Sequence, residues 1–283
     1  MSHYNPTRRK FIFNPASSDP FKISRSKIDM FIQCKRCFYL DQRLGVGRPK
    51  TPPFTLNSAV DKLLKKEFDV HRAAKTPHPL MEAHAVLAVP FIHADLDKWR
   101  HNFTGVQYLD KELNMMVYGA IDDVWENRDG ELIVVDYKAT AKDTEITLED
   151  EWKQQYKRQM EVYQWLLRQN GFKVNDTGYF VYVNGQTDRA GFHGKLEFNI
   201  QLLPYTGKDA WVPEALTSIK KCLIDDRIPE AAETCDYCLY LNRYVEVLRS
   251  NKAAKTMAKT APKKAKKKES EPDAAAEAGT SLF

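Results

Sequence analysis

Gly119-Ala120-Ile121-Asp122-Asp123 and, beyond a turn at Asn127-Arg128-Asp129-Gly130, Leu132-Ile133-Val134-Val135-Asp136-Tyr137-Lys138 decide how this chain is read. Met115 to Trp125 and Glu131 to Lys138 have the composition of a β-hairpin. Side chains at i and i+2 of a strand share a face, so Asp136 and Lys138 project side by side. The four apolar residues before them imply a strand buried on both faces. An Asp and a Lys at the end of such a strand are costly in a plain core. Asp122, on the preceding strand, can face the same site across the hairpin. Two carboxylates offer hard oxygen ligands for Mg²⁺ or Mn²⁺. Lys138 could orient an attacking water or stabilise developing negative charge. The plainer reading is an Asp136–Lys138 ion pair at a strand end, with Asp122 in a turn.

Outward from the hairpin, a helix is expected over Leu148 to Asn170, with Thr147 as its N-cap and Gly171 just past its end. Gln155, Gln159 and Tyr163 are spaced i, i+4, i+8 on that helix and share a face, either a site-facing one or a solvated one. Strands are expected at Tyr179 to Val183 and Leu196 to Leu202, and a last helix near Pro213 to Ile224. On the N-terminal side, Ser26-x-x-Asp29 reads as a capping-box helix start, with Ile28, Phe31 and Ile32 behind it. Leu56, Val60, Leu63, Leu64 and Phe68 make the apolar stripe of a helix from Leu56 to Val70. Glu67 falls inside that stripe and Asp61 at its edge, either paired with an Arg or bound to metal. Strands, then a helix, then a strand give an α/β fold, a mixed central sheet flanked by helices.

The 43 Lys and Arg against 38 Asp and Glu leave a net charge of +5, with 43% hydrophobic and 29% charged residues. These values exclude a wholly disordered chain and the collagen-like and disulfide-scaffold classes. No apolar run approaches the roughly 18 to 20 residues that span a bilayer, so no membrane partner is expected. Met1 to Lys10 lacks the apolar region of a signal peptide, which points to a cytoplasmic protein, nuclear if eukaryotic. Three segments are expected: a loose arm at 1–20, a folded domain at 21–250 and a disordered Lys- and Ala-rich tail at 251–283. Eight lysines and four acids fall in that tail, so the folded body is nearly neutral. Pro262 to Lys268 could add salt-sensitive phosphate affinity, signal nuclear import, or only solubilise the chain. Lys62, Lys65 and Lys66, and Lys153, Lys157 and Arg158, either line a groove, with Trp152 and Tyr156 stacking on unpaired bases, or are solvated helix faces.

In their order, these elements resemble the PD-(D/E)XK nuclease superfamily, and within it the RecB-like group with its iron–sulfur CRISPR-adaptation and helicase-associated nucleases. Gly119-Ala120-Ile121-Asp122 is similar to the first acidic motif, Val135-Asp136-Tyr137-Lys138 to the D-x-K motif, and Gln159-x-x-x-Tyr163 to the helical motif. Ile23-Ser24-Arg25-Ser26-Lys27 through Cys34-Lys35-Arg36-Cys37-Phe38-Tyr39-Leu40 is similar to the N-terminal helix and cysteine segment. Ile228-Pro229 through Cys235-Asp236-Tyr237-Cys238 is similar to the C-terminal cysteine segment. The resemblance implies a restriction-endonuclease-like core with a four-stranded mixed sheet and metal-dependent cleavage of DNA phosphodiesters, here as an exonuclease in repair, recombination or end processing. It implies that Asp122, Asp136 and the Tyr137 carbonyl ligate Mg²⁺ or Mn²⁺, that Lys138 is catalytic, and that Gln159 and Tyr163 organise the substrate. Many RecB-like enzymes carry a His on the helix ahead of the sheet; here Asp61, or Glu67, stands in its place.

Cys34 and Cys37 form one C-x-x-C, Cys235 and Cys238 another, and Cys222 is left for packing. Four thiolates suit a [4Fe–4S] cluster or tetrahedral Zn²⁺, and four reduced thiols without metal are the alternative. The iron–sulfur relatives place one N-terminal Cys with three C-terminal ones. Tyr244 stands at the last of those positions, which puts Cys37 in the set and, on the resemblance, the cluster ahead of zinc. The other readings are a non-catalytic DNA-binding module on the same fold and an accessory subunit of a helicase–nuclease. The chain has no complete phosphate-binding loop of a motor, so a helicase would be a partner. Ser281-Leu282-Phe283 looks somewhat like a peptide that docks on a sliding clamp.

Overall fold

The computed structural model describes residues 8–49 and 54–260, with side chains to 252. The chain divides between Cys238 and Leu239 into two units. The first holds two mixed sheets. Strands β1 (Phe21–Ser24), β3 (Val106–Asp110) and β4 (Met115–Gly119) form one, in the order β1-β4-β3. Strands β2 (Ala88–Pro90), β5 (Asp123–Asn127), β6 (Leu132–Thr140), β7 (Thr177–Gly185) and β8 (Phe198–Thr206) form the other, in the order β2-β5-β6-β7-β8. Only the β6–β7 pair is parallel in this larger sheet. Between the strands run α1 (Arg25–Gln33), α2 (Lys35–Gln42), α3 (Thr55–Ala74), α4 (Pro79–Ala83), α5 (Leu96–Arg100) and α6 (Gln154–Gln169), and α7 (Trp211–Ile224) follows β8.

The α/β reading holds, but the sheet differs from the four strands the resemblance implied. Met115 to Trp125 is two strands rather than one arm of a hairpin. β4 pairs with β1, while β5 pairs with β6, and Ala120 to Asp122 pass from one sheet to the other. Gly119 is needed at this switch because a Cβ there would lie 2.6 Å from Cε1 of Tyr163.

The two faces of β6 bury different cores. Leu132 and Val134 join the cluster that includes Ile28 and Phe31 of α1, Met160 and Leu166 of α6, and Val212 of α7. Ile133, Val135 and Tyr137 join Leu64 and Phe68 of α3. The period of two along β6 therefore assigns Asp136 and Lys138 to the α6 face and Tyr137 to the α3 face. Leu64, Phe68 and Arg72 are buried while Leu56 and Leu63 are exposed, so the stripe of α3 is narrower than its composition implied.

Three local expectations change and one holds. Asp29 does not cap a helix at Ser26; it takes Arg158 Nε at 2.7 Å, tying α1 to α6. The helix expected from Leu148 starts with a 3₁₀ turn at Glu151–Lys153, and the Thr147 carbonyl accepts from the Lys153 ammonium. Gly171 does follow α6, at φ +85°. From Arg8 onward the N-terminal arm is fastened: Phe13 is buried, its N–H donates to Gln42 O at 2.7 Å, and Arg8 Nη2 bonds Asp41 Oδ1 at 2.8 Å.

Helix α8 (Asp236–Thr260) starts in the first unit and supplies the helical part of the second, where Tyr240 and Tyr244 stack along it. It runs past residue 251, where disorder was expected, because Ala, Lys and Met favour helix strongly. The basic run and Ser281-Leu282-Phe283 lie outside the described residues. Among the described residues, no helix is long and apolar enough to cross a membrane.

Candidate active site

Asp136 is fully buried at the α6 edge of β6. Its Oδ1 accepts from Gln159 Nε2 at 2.7 Å. Its Oδ2 is buried with no hydrogen-bond partner among the described residues, and the Lys138 ammonium lies against it as an ion pair. Burial pushes the Asp136 carboxyl up to about 6; Lys138 opposes that rise and Asp122 adds to it. Gln159 Nε2 also reaches Tyr163 Oη at 3.1 Å, and Lys138 Nζ lies 3.5 Å from Gln159 Oε1 and 4.5 Å over the Tyr156 ring. Burial pushes the Tyr163 hydroxyl up to about 12, so it stays a proton donor.

Asp122 stands at the switch between the sheets. Its Oδ2 accepts the Tyr137 N–H at 3.0 Å, which fixes it against the D-x-K strand without placing it on one. Lys65 of α3 lies 3.4 Å from Asp122 Oδ1 and 2.8 Å from Asp61 Oδ1, interposed between the two acids. Glu67 is elsewhere: it faces His78 Nε2 at 3.0 Å and is more than half exposed. Asp122, Asp136, Lys138, Gln159 and Tyr163 are thus brought together, with Asp61 at one remove through Lys65. Gln155 is carried to a cleft beside α6. The residues fit a divalent cation through their donor set: Asp136 Oδ2, held by the Lys138 ammonium alone, stands near a second carboxylate, Asp122, whose charge acts on it.

Sequence reasoning missed two sets of residues. Arg25, the first residue of α1, has a buried Nε without a hydrogen-bond partner, and its positive charge acts on Asp136, Tyr156 and Tyr163. Its segment was marked by resemblance, but nothing local singles out that Arg. The second set lies behind the site. Asp123 is fully buried on the opposite face and accepts from Arg72 Nη2 at 2.5 Å, Arg100 Nη2 at 3.0 Å and Tyr137 Oη at 2.7 Å. Arg100 Nε also bonds the Asp122 carbonyl at 3.1 Å.

The four cysteines meet in a separate buried cluster. Cys34 ends α1 with extended backbone and immediately precedes α2, while Cys37 lies in the first turn of α2. Cys235 and Cys238 repeat this arrangement at the start of α8. Helix N-termini favour negative charge, but burial and the neighbouring sulfurs push the Cys37 and Cys238 thiols up, so a metal would be needed to hold all four as thiolates. The sulfurs lie 3.8 Å apart for Cys34–Cys238, 3.6 Å for Cys37–Cys235 and 3.6 Å for Cys37–Cys238. Among the described residues this is the one group of three or more metal-ligating side chains whose ligand atoms all lie within 4.8 Å. Burial acts to raise the Cys34 thiol, but the Ala232 and Cys37 backbone bonds and the neighbouring thiols bring it to about 7. Cys222 is half-buried beside the main core, as a packing residue.

No curated protein matches the chain. Among solved structures, the crystal structure of SSO0001 is similar at a TM-score of 0.32 and 14% identity, covering 76% of this chain and 82% of that one, a likeness too distant to carry an argument. The model of the PD-(D/E)XK nuclease superfamily matches residues 22–243, a span that takes in both sheets, the Asp122–Asp136–Lys138 constellation and all four clustered cysteines. With an aspartate at the sheet switch, a D-x-K strand beside it and a Gln–Tyr helix face closing the site, the chain belongs to the PD-(D/E)XK nuclease superfamily.

Proposed function

We propose that the protein is a metal-dependent, RecB-like deoxyribonuclease that works as an exonuclease in DNA repair, recombination or end processing. A fully buried aspartate on an apolar strand, neutralised by the Lys138 ammonium and set beside the second carboxylate Asp122, carries this reading. Asp122, Asp136 and the Tyr137 carbonyl would hold Mg²⁺ or Mn²⁺, with Asp61 within reach once Lys65 moves. When bound, the ion supplies Lewis acidity toward a phosphoryl oxygen and makes water a better nucleophile. The reaction adds water across a P–O bond: the water oxygen joins phosphorus and the leaving oxygen departs with a proton. Lys138 places positive charge where the phosphoryl group gains negative charge. Gln159 and Tyr163 hold Asp136 and Lys138 in register through the amide. Arg25 offers an uncommitted guanidinium to a substrate phosphate.

At the cysteines, the sulfur separations support one tetrahedral ion. Metal–sulfur bonds of ~2.3 Å give a tetrahedron with edges of about 3.8 Å, whereas a cubane places each thiolate on its own iron and spreads the sulfurs. We therefore put Zn²⁺ ahead of [4Fe–4S], reversing the order that resemblance alone gives. Either would clamp the start of α2 to the start of α8.

The test is cleavage of end-labelled single- and double-stranded DNA with Mg²⁺, Mn²⁺ or chelator, for the wild type and Lys138→Ala. Metal-dependent cleavage that falls about 100- to 1,000-fold in a folded Lys138→Ala is expected. Equal inertness of both proteins on every substrate would remove the catalytic reading and leave a DNA-binding module.

A further inference from the structure

Beside the cysteine cluster, a cleft of about 870 Å³ opens between the end of α1, the start of α8 and the start of α6. That volume lies within the range of ligand-binding pockets, ~300–1,000 Å³. Two large aromatic side chains in its wall remain in solvent, Trp152 at 48% exposure and Tyr237 at 43%. Each is held in place by a neighbour. Trp152 meets Tyr156 edge-on with centroids 5.4 Å apart, and Arg48 lies 4.5 Å over the Tyr237 ring. Arg48 is itself fixed by Gln33 Oε1 at 3.2 Å and Cys235 Sγ at 3.6 Å. Exposed aromatics cost solvation unless something covers them, and these two are braced rather than loose.

The charge of the walls says what that something is. Arg48 and Arg158 are balanced by Glu151 and Asp236, and Arg158 is already paired with Asp29. The cleft is therefore not a basic track for a phosphate backbone. Of its remaining polar groups, the Gln33 amide is taken up by Asp29 and Arg48, while the amides of Gln154 and Gln155 can donate and accept toward the edges of bases. Ring faces and amides together suit a nucleobase whose faces are free. In a duplex those faces are stacked on neighbouring pairs; in a single strand they are available. The wall of the cleft is also linked to the candidate site by a run of side-chain contacts. From Trp152 the contacts pass to Tyr156, whose ring lies under Lys138, which pairs with Asp136.

We propose that this cleft is a subsite for unpaired DNA, in which bases stack on Trp152 and on the Arg48–Tyr237 platform as the strand runs to or from the D-x-K site. The proposal rests on the nuclease reading above and adds to it where, and in which form, the strand is held.

The test is binding of a labelled oligothymidylate and of a blunt duplex of equal length to the full chain, with no divalent cation added, over a range of salt. Trp152→Ala and Tyr237→Ala should each weaken binding of the single strand about tenfold. Trp152→Phe, which keeps a ring, should recover most of the loss, and this separates stacking from misfolding. Duplex binding should not change. The slope of log affinity against log salt should stay at the wild-type value, because no phosphate contact is removed. Unchanged single-strand affinity in both alanine variants, an equal loss on duplex, or a shallower salt slope would each overturn the subsite. Cleavage by the wild type, measured in parallel, separates the two levels. If it cleaves DNA but Trp152→Ala binds normally, only the subsite falls; if it neither binds nor cleaves DNA, the nuclease reading falls and takes the subsite with it.

Discussion

Two carboxylates stand on opposite faces of the same sheet, both fully buried, and they are treated in opposite ways. Asp123, on the α3 face, accepts from two arginines, the Tyr137 hydroxyl and the Val124 N–H. Asp136, on the α6 face, has one hydrogen bond on Oδ1 and one ammonium, that of Lys138, against Oδ2. The choice of cation follows the same division. Arginine binds with a rigid, weakly hydrated fork and is not readily exchanged, whereas lysine carries a compact ammonium that moves and rehydrates. Of the acids that hold the fold together, Asp123 and Asp29 face arginines and Asp41 takes both Arg8 and Lys27; the acids of the candidate site, Asp122 and Asp136, face lysines. A saturated carboxylate is a fixture. An unsaturated one beside a mobile ammonium is a place where a divalent cation can enter.

The harshest way to break this contrast is Asp123→Ala. It leaves Arg72 and Arg100 buried without their shared partner and strips Tyr137 of its acceptor. Removing one side of a buried pair costs about 3–5 kcal/mol. In a domain of this size that lowers Tm by about 10 °C. Thermal unfolding at neutral pH checks it, and a variant as stable as the wild type would mean that Asp123 is no fixture.

Asp136→Asn should have the opposite sign. The folded-state carboxyl sits near 6, above the usual carboxylate value of about 3.9. Folding thus favours the protonated form. That contribution is fully present below about pH 4 and is lost as pH rises through about 6. Asparagine imitates the neutral form at every pH. In chelator the variant should match the wild type at pH 4 and exceed it at pH 8 by something of order 1 kcal/mol, a few degrees in Tm. It should also be inactive. Loss of stability at pH 8 would place Asp136 with Asp123, as one half of a structural ion pair.

How far these two aspartates can be told apart from sequence depends on where their partners come from. Asp136 and Lys138 are two residues apart on an apolar strand, so their shared face, and the oddity of finding them there, can be read locally. The arginine partners of Asp123 come from α3 and α5, and only the packing of α3 on the sheet brings Arg72 to it. Asp122 was identified as a site residue but misplaced on a strand. The change of partner from β1 to β6 across Ala120 to Asp122 involves segments distant in sequence. Glu67 failed for a similar reason: periodicity put it in the core, and His78 draws it outward. Both C-x-x-C pairs were legible as motifs. That their sulfurs meet depends on chain ends some 200 residues apart, which only tertiary structure brings together.

Lys65 is the mildest and most informative probe of the comparison. It is the exchangeable cation at Asp122, as Lys138 is at Asp136, and it also holds Asp61. If the lysines are placeholders, Lys65→Met frees both acids for a divalent ion. Mn²⁺ affinity, measured by calorimetric titration at neutral pH, should then rise about three- to tenfold. Stability should change by less than about 1 kcal/mol, since the pair is partly exposed and one alkyl stem replaces another. Unchanged or weaker Mn²⁺ binding, with DNA affinity falling instead, would make Lys65 a phosphate contact and leave Asp61 outside the metal site. The rule that lysines mark the replaceable contacts would then apply to Asp136 alone.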